Sequence, residues 1–217
     1  SSLEQNDMIE NEFWNMISLL ELVLAHNKLE EPQSIHNISY FTEQIYKEVQ
    51  LNYPKLNISD EEIENVSKLA TIHDIGKLFT PYEILNKKGK LTKDEMDIIK
   101  KHPLNSANMA LKLPKCGKAS KLVQYAYNIC LYHHERYDGQ GYPKGLIGDE
   151  IPLCAQVVGL ADAYDALISE RPYKRKINHG EAVRMIVNGE CGSFSPKVIL
   201  SFIIASMNKT WIEKVSK

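Results

Sequence analysis

Cysteine is sparse, four residues in 217, and no two are spaced as C-x-x-C. That spacing pattern excludes a disulfide-stapled scaffold and the common zinc-ribbon arrangements. Cys116, Cys130, Cys154 and Cys191 follow no secretory signal, so they read as reduced thiols of a cytoplasmic protein. Long apolar runs are missing too. The best stretch, residues 17–25, is interrupted by Glu21 and falls short of the ~18 residues a membrane helix requires. A membrane segment is therefore not expected in this fragment. Nor is there a basic excess: the net charge is −2 and the pI about 6.4. A nucleic-acid polymer is not an expected partner of such a chain. If the substrate is a phosphate ester, metals and a few basic side chains must supply the positive field locally. Alternating β-branched stretches, internal repeats and low-complexity segments are absent as well. The opening Ser1-Ser2 lacks an initiating Met, which suits a tag remnant or a piece of a longer protein.

What is present is helical. The 43% hydrophobic and 25% charged content is that of a folded globular chain. Ile9, Phe13, Ile17, Leu20 and Leu24 recur at three- and four-residue spacing, predicting an amphipathic helix. A second helix is expected from near Ser34, with Ile35, Ile38, Ile45 and Val49 on its apolar face. Ser59-Asp60-Glu61-Glu62 reads as a capping box opening a helix that carries His73-Asp74-Ile75-Gly76-Lys77. Thr92-Lys93-Asp94-Glu95 repeats the device for a helix ending at His102-Pro103, because proline disfavours helical geometry in the residue before it. Helices are expected over 118–134, 152–169, 180–188 and 196–207, with a glycine-rich loop over 138–151. The fold class is all-α. The one plausible boundary lies near residues 29–32, dividing an N-terminal linker or signalling helix (1–31) from the main domain (32–217).

Histidine and aspartate ligate borderline divalent metals through nitrogen and oxygen. His73 and Asp74, adjacent on a helix, would diverge by about 100°, letting one metal take the imidazole while the carboxylate bridges to a second. Lys77 shares their face. Taken alone, the pair is equally a helix end with a solvated lysine. His133-His134, closing an apolar helix, is the stronger signal, since buried imidazoles need polar partners. His102 at a helix boundary and Asp162 in an apolar stretch add donors from other segments. Asp165, one turn on, could orient a ligand or Lys77.

In order, His73-Asp74-x-Gly76-Lys77, His102-Pro103, His133-His134-Glu135, Asp138-Gly139-x-Gly141-Tyr142-Pro143, Asp162-x-x-Asp165-Ala166-Leu167 and Arg171-Pro172-Tyr173 resemble the HD-GYP subgroup of the HD-domain phosphohydrolases. The resemblance runs from about His36 to Pro196. It implies an HD-domain helical bundle with an extra N-terminal helix and C-terminal helices. It implies a cyclic di-GMP phosphodiesterase yielding linear pGpG, and GMP if cleavage continues. Two divalent transition metals, iron or manganese, are implied, held by His73, Asp74, His102, His133, His134 and Asp162. Asp74 and Lys77 are the expected catalytic pair. His36 matches the upstream histidine of trinuclear members. Gly141 and Tyr142, with Asp165, Arg171 and Lys174, are the expected substrate contacts.

The departures matter equally. Trinuclear members carry glutamate four residues before that histidine; here Pro32 stands there and Glu31 is out of register, which favours two metals over three. Ser106 replaces a usual glycine, Gln156 a usual arginine and Ser195 a usual aspartate. Alternatives are a phosphodiesterase for 3',3'-cyclic GMP-AMP and a receptor module that binds without hydrolysis. A homodimer through the N-terminal helix and an upstream sensor or receiver domain are the expected partners.

Overall fold

A computed structural model describes residues 2–115, 117–170 and 175–216. Among these residues the chain forms helices and turns with no strand. The helices are α1 (Ser2–His26), α2 (Pro32–Asn52), α3 (Asp60–Leu69), the short α4 (Tyr82–Leu85), α5 (Lys93–Ile99) and α6 (His102–Ala110). They continue as α7 (Ala119–Tyr132), α8 (Leu153–Ile168), α9 (His179–Val187), α10 (Pro196–Ser206) and α11 (Lys209–Val215).

The central helix is α2. Its Phe41, Ile45, Tyr46 and Val49 are fully buried, and it packs against α3, α8 and α10. Phe41, Tyr164, Phe202 and Trp211 interlock edge-on or tilted, with Phe41 and Trp211 centred 4.5 Å apart. This aromatic knot ties α2, α8, α10 and α11 together. The α1 helix lays Phe13, Ile17 and Leu24 into the core and leaves Leu3, Met8, Leu19 and Leu22 outside. No helix among the described residues is long and apolar enough to cross a membrane.

Local chemistry explains where the helices begin. Thr92 forms a full capping box: its Oγ1 accepts from the Glu95 backbone N–H at 3.2 Å, and Glu95 Oε2 accepts from Thr92 N–H at 2.8 Å. Replacing Thr92 with alanine is expected to cost about 1 kcal/mol, read as a lower urea midpoint with unchanged slope. Ser59 delivers only half a box. It accepts from Glu62 N–H at 3.0 Å, but the Glu62 carboxylate is taken by the Tyr46 hydroxyl at 2.5 Å.

Two expectations are corrected. The α3 helix stops at Leu69, and His73-Asp74 sits between two tighter 3₁₀ segments, Ala70–Ile72 and Ile75–Phe79. His102 starts α6 instead of ending α5, with Pro103 in the first turn, where its missing N–H costs nothing. The α11 helix was not anticipated. It is too short for periodicity to reveal, and its one strong signal is Asn208, whose side chain accepts from Thr210 N–H.

Candidate metal centre

The tight turns around His73 and the start of α6 meet because of Gly76. A Cβ there would lie 2.3 Å from the His102 carbonyl oxygen and 2.4 Å from the Ser106 nitrogen. The Gly76 N–H donates to Ser106 Oγ at 2.7 Å. Ser106, a departure from the usual pattern, thus satisfies a buried backbone donor. From α7 come His133 and His134, at the point where that helix ends. Asp162 comes from α8.

Three imidazoles are fixed by their own helix ends. His73 Nδ1 donates to the Ala70 carbonyl at 2.7 Å, His102 Nδ1 to Ile99 at 2.7 Å, and His133 Nδ1 to Ile129 and Cys130 at 3.0 Å. Carbonyl oxygens only accept, so Nδ1 carries the proton and each Nε2 presents a lone pair inward. Those lone pairs converge on Asp74. Its Oδ1 lies 3.0 Å from His102 Nε2 and 3.3 Å from His133 Nε2. His73 Nε2 lies 3.4 Å from Asp74 Oδ2 and 3.3 Å from Asp162 Oδ1. His134 Nε2 stands 3.1 Å from His102 Nε2.

Acceptors facing acceptors at such distances repel unless a cation lies between them. Buried His73 Nε2 and Asp74 Oδ1 have no hydrogen-bond partner among the described residues. Donors each about 2.1 Å from one ion stand about 3.0 Å apart at a right angle and about 3.4 Å apart at the tetrahedral angle. The observed spacings fall in that interval. The donors form three overlapping groups: Asp74 with His102, His133 and His134; His133 with His73 and Asp162; and Glu30 with His73 and Asp74. The side chains present therefore fit divalent metal.

The electrostatics agree. Burial alone would raise the Asp74 carboxyl, but Lys77, His73 and His102 outweigh it and hold it well below its ordinary range. Burial likewise opposes ionisation of Asp162, and His73 overcomes it. Burial keeps His134 neutral, reinforced by His133. His73 is driven upward against burial by Asp74 and Asp162, so this point attracts positive charge.

Lys77 donates to Asp74 Oδ2 at 2.5 Å and lies 3.7 Å from Glu30 Oε1. Burial opposes its charge, yet the two carboxylates keep it an ammonium. It is committed to holding Asp74. Glu30, unnoticed in the sequence because it falls in a non-helical stretch with no motif around it, is raised to about 7 by burial and by Asp74.

The expected ligand His36 is exposed on α2 and outside the cluster. Helical phase explains this. Its neighbour Asn37 is the residue that turns inward, donating to Asp165 Oδ1 at 2.9 Å. Asp165, expected near substrate or Lys77, is instead buried, accepting from Asn37 and from Ser169 Oγ at 3.1 Å. It pins α8 to α2. Arg171 and Lys174 lie outside the described residues.

The loop after α7 folds back over the cluster. Gly141 permits it, since a Cβ would lie 2.3 Å from Arg136 N and 2.5 Å from His134 O. Glu135, whose role the sequence did not disclose, is buried and accepts from Lys144 N–H at 2.6 Å and Leu146 N–H at 2.9 Å. The loop thereby stacks Tyr142 on the His134 ring, centroids 4.8 Å apart and 12° from parallel. Lys100 stands over Tyr142 at 5.3 Å.

The family model described as HD domain matches residues 22–198. This chain belongs to the HD-domain family. The Asp138–Pro143 loop, with the ordered His/Asp set, places it in the HD-GYP subgroup. It is 43% identical over 152 residues to a probable cyclic di-GMP phosphodiesterase of Vibrio cholerae, covering 70% of this chain and 34% of the relative. It is 38% identical over 128 residues to 3'3'-cGAMP-specific phosphodiesterase 1 of the same organism, covering 58% of this chain and 28% of the relative. Thus the chain spans about a third of the length of the curated relatives it matches. Among solved structures, Bd1817, an HDG"Y"P protein from Bdellovibrio bacteriovorus, shares the fold with a TM-score of 0.58 at 19% identity, over 94% of this chain and 64% of that one.

Proposed function

We propose that the chain is a metal-dependent phosphodiesterase that opens cyclic di-GMP to linear pGpG, with GMP as the product of a second cut. The observation that carries this reading is Asp74, whose two oxygens face different donor groups, His102 and His133 on one side and His73 on the other. The name of the Vibrio relative supports the substrate.

Two ions would be held by Asp74, His102, His133 and His134 and by His73, Asp74 and Asp162, supplying charge neutralisation at phosphorus and an activated water at neutral pH. The chain's own residues do the positioning. Lys77 holds Asp74 Oδ2, and the backbone carbonyls of Ala70, Ile99 and Ile129 stop the imidazoles from rotating. Tyr142, braced on His134 and overlaid by the Lys100 ammonium, would bring its hydroxyl and that cation to the substrate. Arg171 and Lys174 would hold phosphate or guanine.

Nitrogen and oxygen donors of this kind suit iron or manganese. With His36 turned outward, Glu30 lacks a partner for a third ion and would supplement the His73 side. Elemental analysis of anaerobically purified protein is expected to give two ions per chain, and Glu30→Gln to weaken metal binding about tenfold or more. Three ions per chain would refute the assignment.

The cyclic GMP-AMP reading draws on the second Vibrio relative. Initial rates on the two dinucleotides, side by side, decide between them. A receptor without turnover would have no use for a complete donor set, and product analysis on cyclic di-GMP tests it.

The exposed Leu19 and Leu22 support a homodimer through α1. The span of about a third of the relatives' length supports an upstream sensor or receiver domain. Buried thiols, with Cys154 pushed up to about 12 by burial, suit the cytoplasm.

A further inference from the structure

Beside the cluster, on the side of Glu30 and Lys77, opens a cavity of about 1190 Å³. Small-molecule sites typically span roughly 300–1,000 Å³, so this is far more room than one phosphate group needs. Glu30 and Lys77, which also touch the cluster, line it together with Tyr40 from α2 and Thr210 and Lys214 from α11. The α11 helix lies beyond residues 22–198 that match the HD domain.

The lysines of the cavity are in different states. Lys77 is neutralised by Asp74 and Glu30. Lys28, Lys176 and Lys214 have no ion pair among the described residues. Lys214 instead lies on the face of Tyr40, its Nζ 5.0 Å from the ring centre, while neighbouring Glu213 pairs with Lys209 at 3.6 Å. An ammonium resting on an aromatic face is held in place with its charge intact. The carboxylates Glu31 and Glu170 also line the cavity. Carboxylates accept from base amino groups, so the mixture suits a ligand bearing both N–H donors and anions, as a guanine nucleotide does.

A cyclic dinucleotide carries two phosphates on one ring. When one is at the metal cluster, the other must be accommodated nearby. We propose that this cavity receives the half of a cyclic dinucleotide remote from the bond being cut, and that Lys214, with Lys28, takes that half's phosphate. The inference rests on the phosphodiesterase reading above and adds specificity-determining residues to it.

The test compares wild type, Lys214→Glu and Lys28→Glu, metal-loaded, on cyclic di-GMP and on bis(p-nitrophenyl) phosphate, which fills only the scissile position. Each substitution is expected to raise KM for cyclic di-GMP about tenfold or more, with kcat and the small-diester rate unchanged. An unchanged KM in Lys214→Glu overturns the subsite while leaving the phosphodiesterase reading intact. Equal losses on both substrates also overturn it, since they mark general damage. Wild-type cleavage of the small diester without the dinucleotide overturns the substrate class, and the subsite with it. If wild type cleaves neither, both readings fall.

Discussion

Replacing Asp74 with alanine is expected to lower the rate of cyclic di-GMP hydrolysis by at least about a thousandfold. Metal neutralisation of developing charge contributes several kcal/mol, and each 1.4 kcal/mol is a factor of ten. Asp74 is the one residue whose oxygens meet His102 and His133 on one side and His73 and Lys77 on the other. Its loss therefore weakens both ion sites together. The helical circular-dichroism spectrum is expected to persist, because the buried aromatic knot around Trp211 is built without Asp74. Metal content should drop in parallel with activity. Full activity of the variant, or wild-type turnover in chelator-treated buffer, would refute metal-dependent hydrolysis at this cluster.

The second large effect is expected at a residue with no side chain. Gly76→Ala places a Cβ within 2.3–2.6 Å of His102 O, Ser106 N and Ser106 Oγ. Two of those atoms are backbone of α6 and cannot swing aside, so the helix must shift and carry His102 with it. Overpacking of this kind costs about 3 kcal/mol, near the top of its usual range. For a chain of this size that lowers the melting temperature by roughly 6–12 °C. Metal affinity should fall as well, because His102 Nε2 is held 3.0 Å from Asp74 Oδ1 by the same packing. A variant with wild-type melting temperature and wild-type metal content would show that α6 yields more easily than its backbone contacts suggest. Calorimetry and elemental analysis on one preparation make the comparison.

Several parts of this architecture were legible in the sequence for definite reasons. Long helices such as α1, α2 and α7 carry enough apolar repeats for their buried faces to be read directly. The donors His73, Asp74, His102, His133, His134 and Asp162 are brought together; His133, His134 and Asp162 stood out because polar residues in apolar surroundings are costly, while His73, Asp74 and His102 gained weight only from their order in the family's motifs. His36 and Glu30 escaped the sequence for different reasons: Glu30 stands in the non-helical stretch before α2, and His36 lies in the first turns of α2, where a shift of a single residue rotates a side chain by about 100°. Spacing relative to Pro32 could not reveal which residue faces inward; the Asn37–Asp165 hydrogen bond fixes that phase across 128 residues of sequence. The break between Leu69 and His73 was hidden because 3₁₀ and α-helical turns place apolar residues at similar intervals. The capping role of Glu62 was misread because Tyr46, distant in sequence, competes for its carboxylate.

The hydrogen bonds from Nδ1 to the carbonyls of Ala70, Ile99 and Ile129 have a consequence for how the cage comes into being. Each spans only three or four residues. A ring can thus be aimed as soon as its own turn forms, before any ion arrives and before the other helices dock. What remains for tertiary packing is to bring three already aimed rings around one carboxylate. Metal capture then requires little rearrangement, and its affinity reports on how well α6 and α7 seat against each other. Buried side chains of those two packed helices, such as Ala107 of α6 and Ala126 of α7, become adjusters of metal affinity although neither can ligate an ion.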